Sequence, residues 1–384
     1  MSSEMPPHFY LQNIDPSRIK FARELRGMTK KELAEKIHKT PSAVSQYESG
    51  ISGLKLDTFI SLANALSVPF SFFSKFNYPL PSASLGKCHF RVNRRVSQME
   101  RQRAFSFAAQ VFTIFSYLTD KGVHFPEVNI PTFDDREVQE RQIEESAKAV
   151  RMALDLGSAP IPDMAVLLES LGVRIIMLPA REVKLDGFAT WFAGIPCVMI
   201  DSNSAPSRMQ FDYAHELAHL ILDEESTPDD PLVERRANRF ASAFLMPADT
   251  FGIECPSHYR QELFASIKKS WHVSIAAALY RARELGKLSE NAYKSAQIIR
   301  SRAGTRLHEE NEFQPPLPSL LDQAMRLVCK DTRLDEMASD LGMSVHGLRA
   351  ILELQNVSSD ILDAMTPPTS RVKIIDFAVY RDTD

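Results

Sequence analysis

The sequence predicts an α+β protein, with helices in front, a short β-sheet in the middle and helices again behind it. Three observations predict this. Residues 16–76 fall into short helical patterns with apolar residues on one side. Residues 173–200 hold three apolar runs of strand length, the last two separated at Gly194. Immediately afterwards, Arg208 to His219 reads as an apolar helix carrying His-Glu-x-x-His, and helical patterns resume beyond Pro247.

The bulk numbers set limits. A chain of 384 residues with 44% hydrophobic content can build two or three domains with cores of their own. The net charge is only −4, but it is unevenly spread. Between Leu11 and Gln110 basic residues outnumber acidic ones, with Arg91, Arg94, Arg95, Arg101 and Arg103 clustered. That asymmetry points to a front end facing nucleic acid. Cys88, Cys197, Cys255 and Cys329 are widely spaced with no C-x-x-C, which predicts reduced thiols and a cytoplasmic protein. Met1 to Asp15 has no apolar core of a secretory signal. The most apolar run, Ala104 to Leu118, is too short to span a bilayer and contains Ser106, Gln110, Thr113 and Ser116. It reads as a buried or dimer-forming helix, and no membrane association is expected.

Residues 1–13 read as a loose tail, followed by a helix over Pro16–Arg26 stopped near Gly27. Thr29 and Glu32 form a capping box that starts a helix over Lys30–Ile37. After the turn His38-Lys39-Thr40, Pro41 begins a third helix that ends at Ser49-Gly50. Further helices are expected over Leu56–Leu66 and Pro69–Phe76. Two short helices and a tight turn make a helix-turn-helix pattern. The third helix shows Ser42, Ser45 and Gln46 outward and Val44 and Tyr47 inward, and Ser and Gln can hydrogen-bond base edges. Lys30, Lys39 and Thr40 sit at helix starts, suited to phosphates. The order T-x-x-E-L-A-x-x-I, a turn, then S-x-V-S-x-Y-E-x-G resembles the Cro/CI-type (XRE) DNA-binding domain. Lys30 stands where that family often has Gln, and a Lys still suits phosphate. The resemblance implies a double-stranded DNA operator, and paired half-sites suit a homodimer.

Pro79 to Ser84 is a linker by composition. His89 to Arg103 either extends the DNA contact or forms a solvated helix face. A long amphipathic helix is expected over residues 138–157, and another over Pro160–Leu171 with Asp163 at its start. Val173–Leu178 reads as a strand, and Phe188–Phe192 with Pro196–Ile200 as a hairpin. The edge of such a sheet can take up an extended peptide by strand addition.

The chemistry centres on His215-Glu216-Leu217-Ala218-His219. Four residues apart on a helix, the two imidazoles leave one face a turn apart and can grip one metal ion. Glu216 is placed to accept a proton from an attacking water beside it. Asp223 to Pro231 is a polar loop that lets a second helical pattern fold back. Its Glu234 is the preferred third ligand over Asp223, Glu224 and Glu225, giving a His₂Glu set with a fourth, open position. An ordinary carboxylate at a helix start is the other reading of Glu234. Arg208 to His219, then Glu234-x-x-Ala237-Asn238-x-Phe240-Ala241, then Phe244-Leu245-Met246-Pro247, resemble the ImmA/IrrE zinc metallopeptidases. Asp186-Gly187-Phe188 and the sequence around Trp271 fit the same arrangement, with Ala218 where that family often has Gly.

The resemblance implies a zincin-like (gluzincin) domain that holds Zn²⁺, or Mn²⁺, on His215, His219 and Glu234, with Glu216 as catalytic base. It implies a metalloendopeptidase that cleaves a repressor-type protein, a partner or itself, in a stress, phage or toxin–antitoxin response. Tyr213, Arg208 and His258 are the candidates for an oxyanion or substrate contact. The alternatives are a repressor or antitoxin whose peptidase-like domain is a sensor or structural metal domain without turnover. The expected division is 11–78 for DNA binding, 79–136 as a basic linker and helical connector, and 137–305 for the peptidase domain. Glu309 to Pro318 is acidic and proline-rich, a second linker. Residues 319–384 form a helical C-terminal region whose Arg333–Leu352 stretch reads as a packing or dimerisation unit or as a second helix-turn-helix, with a strand pattern over Val372–Val379.

Overall fold

The computed structural model describes residues 5–81, 89–91, 96–131, 142–179, 185–222, 230–304, 309 and 311–366. The expected strand over 372–379, the linker over 82–84, Arg94 and Arg95 lie outside the described residues.

The front unit is helical. It comprises α1 (Pro7–Gln12), α2 (Ser17–Leu25), α3 (Lys30–Lys36), α4 (Pro41–Glu48) and α5 (Leu56–Leu66). The expected loose tail is corrected by α1, whose own Tyr10 and Leu11 pack on the core of Ile19, Leu33, Val44, Phe59 and Phe73. The helix expected over Pro69–Phe76 shrinks to a 3-10 turn, Phe70–Phe73. The Thr29–Glu32 capping box forms in full, with both side chains bonded to the other's backbone N–H. Arg23 forks onto Glu48 at 2.5 and 3.2 Å, a buried pair that ties α2 to α4.

Next come β1 (His89–Arg91), α6 (Gln98–Asp120), α7 (Ile143–Ala153), α8 (Met164–Ser170), β2 (Arg174–Leu178), β3 (Gly187–Phe192) and β4 (Ile195–Asp201). The sheet order is β1-β3-β4-β2. β2 runs parallel to β4, and the other two pairings are antiparallel. The sheet is covered on both faces, which explains its unbroken apolar runs. Ile175, Met177, Val198 and Ile200 face one core, while Ile176, Leu178, Phe188 and Met199 face another. The helix expected over 138–157 begins, within the described residues, at Ile143 and ends at Ala153; the chain then turns through positive φ at Asp155 and Gly157.

Behind the sheet follow α9 (Pro206–Leu222), α10 (Pro231–Leu245), α11 (Ala248–Glu254), α12 (Gln261–Trp271), α13 (Ile275–Glu284) and α14 (Glu290–Arg302). The last group is α15 (Leu320–Val328), α16 (Leu334–Asp340), α17 (Val345–Leu354) and α18 (Ser359–Ala364). This group and α6 share one core on the back of the sheet. The run Ala104–Leu118 is buried there, within this chain.

Two expectations fail for the same reason: side chains distant in sequence close the gaps. Residues 309–318 are not a linker in their described part but a strap. Glu309 accepts from the Ile275 and Ala276 amides at 2.8 and 3.2 Å, and Glu312 from the Ser207 amide at 3.0 Å. Carboxylates suit helix N-termini, so the acidic composition serves α13 and α9. The outer sides of the predicted strands are also met by other parts of the chain. β1 pairs along β3, and the Gln355 amide group bonds the Met177 N–H and C=O at 2.8 and 2.9 Å, as a neighbouring peptide unit would. Among the described residues no helix is long and apolar enough to cross a membrane.

Candidate metal centre

α9 is buried almost all round, so its polar residues need compensation. At about 100° per residue, His215 and His219 stand about 40° apart on one face. α10 starts at Pro231 behind an Asp230 N-cap and packs along α9. That brings Glu234, one turn in, opposite the histidines. The Nε2 atoms of His215 and His219 are 3.1 Å apart, and Glu234 oxygens lie 3.4 and 3.3 Å from them. A tetrahedral ion with ligand arms of about 2.0–2.1 Å needs ligand atoms about 3.3–3.4 Å apart, so the donor set fits a metal ion. The histidines are buried and the Glu234 side chain is 28% exposed, which leaves one side open to solvent. Burial pushes the Glu234 carboxyl up, but hydrogen bonds and charge from His215 and His219 outweigh it and hold the pKa well below the carboxylate range.

Glu216 is wholly buried and lies against β3. A Cβ added at Gly187 would stand 3.1 Å from a Glu216 oxygen and 2.8 Å from the Met199 carbonyl oxygen. Only glycine lets the strand and the carboxylate approach this closely. Arg208 lies on the histidine face two turns earlier and is held by Asp186 at 2.9 Å and Asp212 at 3.6 Å.

Tyr213 is corrected as an oxyanion candidate. It stands about 200° round the helix from His215, and its hydroxyl is buried against Met177 Sδ at 3.8 Å. His258 is exposed in the segment before α12. Asp186 and Asp212, which position Arg208, were not singled out as partners by the sequence; an i, i+4 spacing signals only the second.

The helix-turn-helix residues gather at the start of α3 and along α4. Ser42 and Gln46 are exposed and Ser45 is half-buried. Lys30 Nζ donates to Ser45 Oγ at 2.8 Å, and Gln46 Oε1 accepts from Ser52 at 3.0 Å. Thr40 caps α4, accepting from the Ala43 amide at 3.2 Å, and Lys39 is exposed beside it. In the described part of the basic stretch, α6 packs on α2, with Gln102 donating to Glu24 at 3.0 Å and the Arg103 stem against Gly27.

Comparison with known proteins matches two segments. Residues 19–73 match the helix-turn-helix family. Residues 168–283 match the IrrE N-terminal-like domain of the M78 peptidases, a span that holds the sheet strands β2–β4, all three clustered donors and Glu216. No curated protein matches the chain. The chain thus joins a helix-turn-helix DNA-binding unit to an IrrE N-terminal-like, peptidase-type domain.

Proposed function

We propose that this DNA-binding regulator is also a zinc-dependent endopeptidase that cuts a repressor-type protein, in trans or within its own connector, to change gene expression. One observation carries the reading: His215, His219 and Glu234 converge within 4.8 Å beside a buried Glu216. A zinc ion held by the three donors supplies Lewis acidity at the scissile carbonyl and the attacking water. Glu216 takes the proton of that water and passes it to the leaving amine. Gly187 keeps room for that carboxylate, and Asp186 and Asp212 hold Arg208 on the approach to the same face. Lys30, Lys39 and Thr40 position the DNA backbone while Ser42, Ser45 and Gln46 read bases, as a homodimer on paired half-sites.

The connector supports the self-directed form of the reading. β1 already lies antiparallel on β3, His89 opposite Ala189 and Arg91 opposite Gly187, as an added peptide strand would. The same observation favours a second reading, in which β1 stays on β3 and the metal unit senses or stabilises without turnover. Mass analysis of the purified chain with Zn²⁺ or Mn²⁺, alone and with helix-turn-helix repressors, separates the two. Cleavage by the wild type and none by Glu216→Gln is the expected result. An intact chain and intact repressors, with metal bound and Glu216→Gln regulating normally, overturn the peptidase reading.

A further inference from the structure

We propose that the connector strand β1 is a built-in inhibitor: lying on β3 beside Glu216, it holds the backbone position that a chain to be cut must take. The inference rests on the endopeptidase reading above, in the form that cuts another protein.

A chain enters such a site most simply as an added strand. A strand at the edge of a sheet turns part of its N–H and C=O groups outward, and an extended peptide can pair with them. β3 gives one side to β4, which pairs with it from Gly187 to Phe192. On the other side β1 pairs antiparallel with Gly187, Phe188 and Ala189. An incoming peptide needs the same backbone groups, so β1 and the peptide exclude each other there.

The covered end of β3 is the end at the chemistry. Arg91 lies opposite Gly187, and a Cβ built on Gly187 would stand 3.1 Å from a Glu216 carboxylate oxygen. Paired α carbons in an antiparallel ladder are about 4.5–5.5 Å apart, which puts the Arg91 α carbon within about 10 Å of that oxygen.

The connector can hold the strand and also release it. Residues 82–88 join β1 to Pro81 of the front unit, and residues 92–97 join it to α6. Both ends are anchored: the Tyr78 amide donates to the Asp340 carbonyl at 3.2 Å, and Gln102 of α6 donates to Glu24 of α2 at 3.0 Å. Tethered in this way, β1 keeps a high local concentration that a free peptide must outcompete. Yet it is only three residues long, against the six of β3 that pair with β4, so it is the ladder that opens first. Only the open fraction of the protein can take a substrate.

Two variants of the full-length chain push the strand in opposite directions. His89→Pro/Phe90→Pro acts through the backbone, because of two successive residues one turns its N–H to the partner strand and proline has none. His89→Cys/Ala189→Cys, made with Cys88→Ser, joins two residues that face each other at a spacing a disulfide spans. Hydrogen exchange of the β3 amides reads the strand without turnover. Zinc content and melting curves show that each variant is loaded and folded, and either variant alone carries the test. Cleavage is read on a mixed library of natural-sequence peptides, with cut products identified by mass spectrometry. In the proline variant, exchange over Gly187–Ala189 and the rate of cleavage should both rise at least about tenfold. The oxidised cysteine pair should cut at least about tenfold more slowly than its reduced form, which recovers the wild-type rate. Unchanged exchange in the proline variant, or an oxidised pair with wild-type activity, would overturn the proposal. Faster exchange without faster cleavage overturns inhibition and leaves the peptidase reading standing. No cut peptide from any form with zinc bound overturns both. A wild-type chain that cuts itself within residues 82–97 makes the strand a substrate and overturns the inhibitor alone.

Discussion

α4 and α9 both carry polar side chains along one face, and the two helices treat them in opposite ways. On α4, Ser42 and Gln46 stand in solvent, where water satisfies them at almost no cost. On α9, His215, Glu216, His219 and Asp212 are sealed from water and must find compensation inside the protein. The difference teaches how to weigh a polar motif. An exposed polar face is compatible with many functions, and its meaning here comes from the surrounding helix-turn-helix geometry. A buried one constrains its surroundings: α10 delivers Glu234, β3 gives up a side chain at Gly187, and Glu312 reaches back to cap α9.

The comparison breaks most sharply at the metal donors. His219→Ala removes one of three donors, so bound metal should fall from about one ion per chain to none, read by elemental analysis. In the wild type, excess metal at about 100 times its dissociation constant should stabilise the chain by about 2.7 kcal/mol, and a chelator should remove that gain. His219→Ala should show no response to either. Undiminished metal in the variant would show that the cluster is not the binding site. On α4 the matching substitution, Gln46→Ala, leaves stability within about 0.5 kcal/mol, because the side chain is exposed.

The second effect is steric. Gly187→Ala places a methyl group 2.8 Å from the Met199 carbonyl oxygen and 3.1 Å from Glu216. The carbonyl belongs to the paired strand and cannot swing aside. A cost of about 1–3 kcal/mol follows, together with displacement of the Glu216 carboxylate. Thermal melts should show the loss, and cleavage should drop further than metal content does. A variant with wild-type stability and turnover would mean that strand and carboxylate are not in contact.

How far the chain could be read in advance follows the range of each interaction. Thr29 and Glu32 are three residues apart, so their capping box was legible, as was the i, i+4 histidine pair. Glu234 was within reach because its helix follows directly and folds back. Tyr213 has a suitable hydroxyl, but two steps of 100° from His215 put it on the far side of the helix, where helix angle outweighs residue type. Other features have no local period at all. Glu309 and Glu312 looked like linker residues because acid and proline composition describes a strap equally well. Gln355 at the β2 edge and β1 at the β3 edge are contacts across more than 90 residues, and nothing near them in sequence announces the partner.

The smallest effect tests the exposed side of the comparison. Glu32 accepts from the Thr29 amide at 2.7 Å and its hydroxyl at 2.8 Å. The backbone bond first, and the hydroxyl bond after it, hold the Glu32 carboxyl below its ordinary value of 4.5. A carboxyl depressed in the folded state stabilises the fold fully above the unfolded value. That contribution disappears as pH falls below about 4.5 and through the folded value. Glu32→Gln keeps a capping-box acceptor but cannot titrate. It should melt slightly below the wild type at pH 7, and the gap should close as the pH is taken down to about 3. Because the group is fully exposed, the change should be small and should shrink in salt. A gap that stays constant with pH would assign the stabilisation to the shape of the box rather than to its charge.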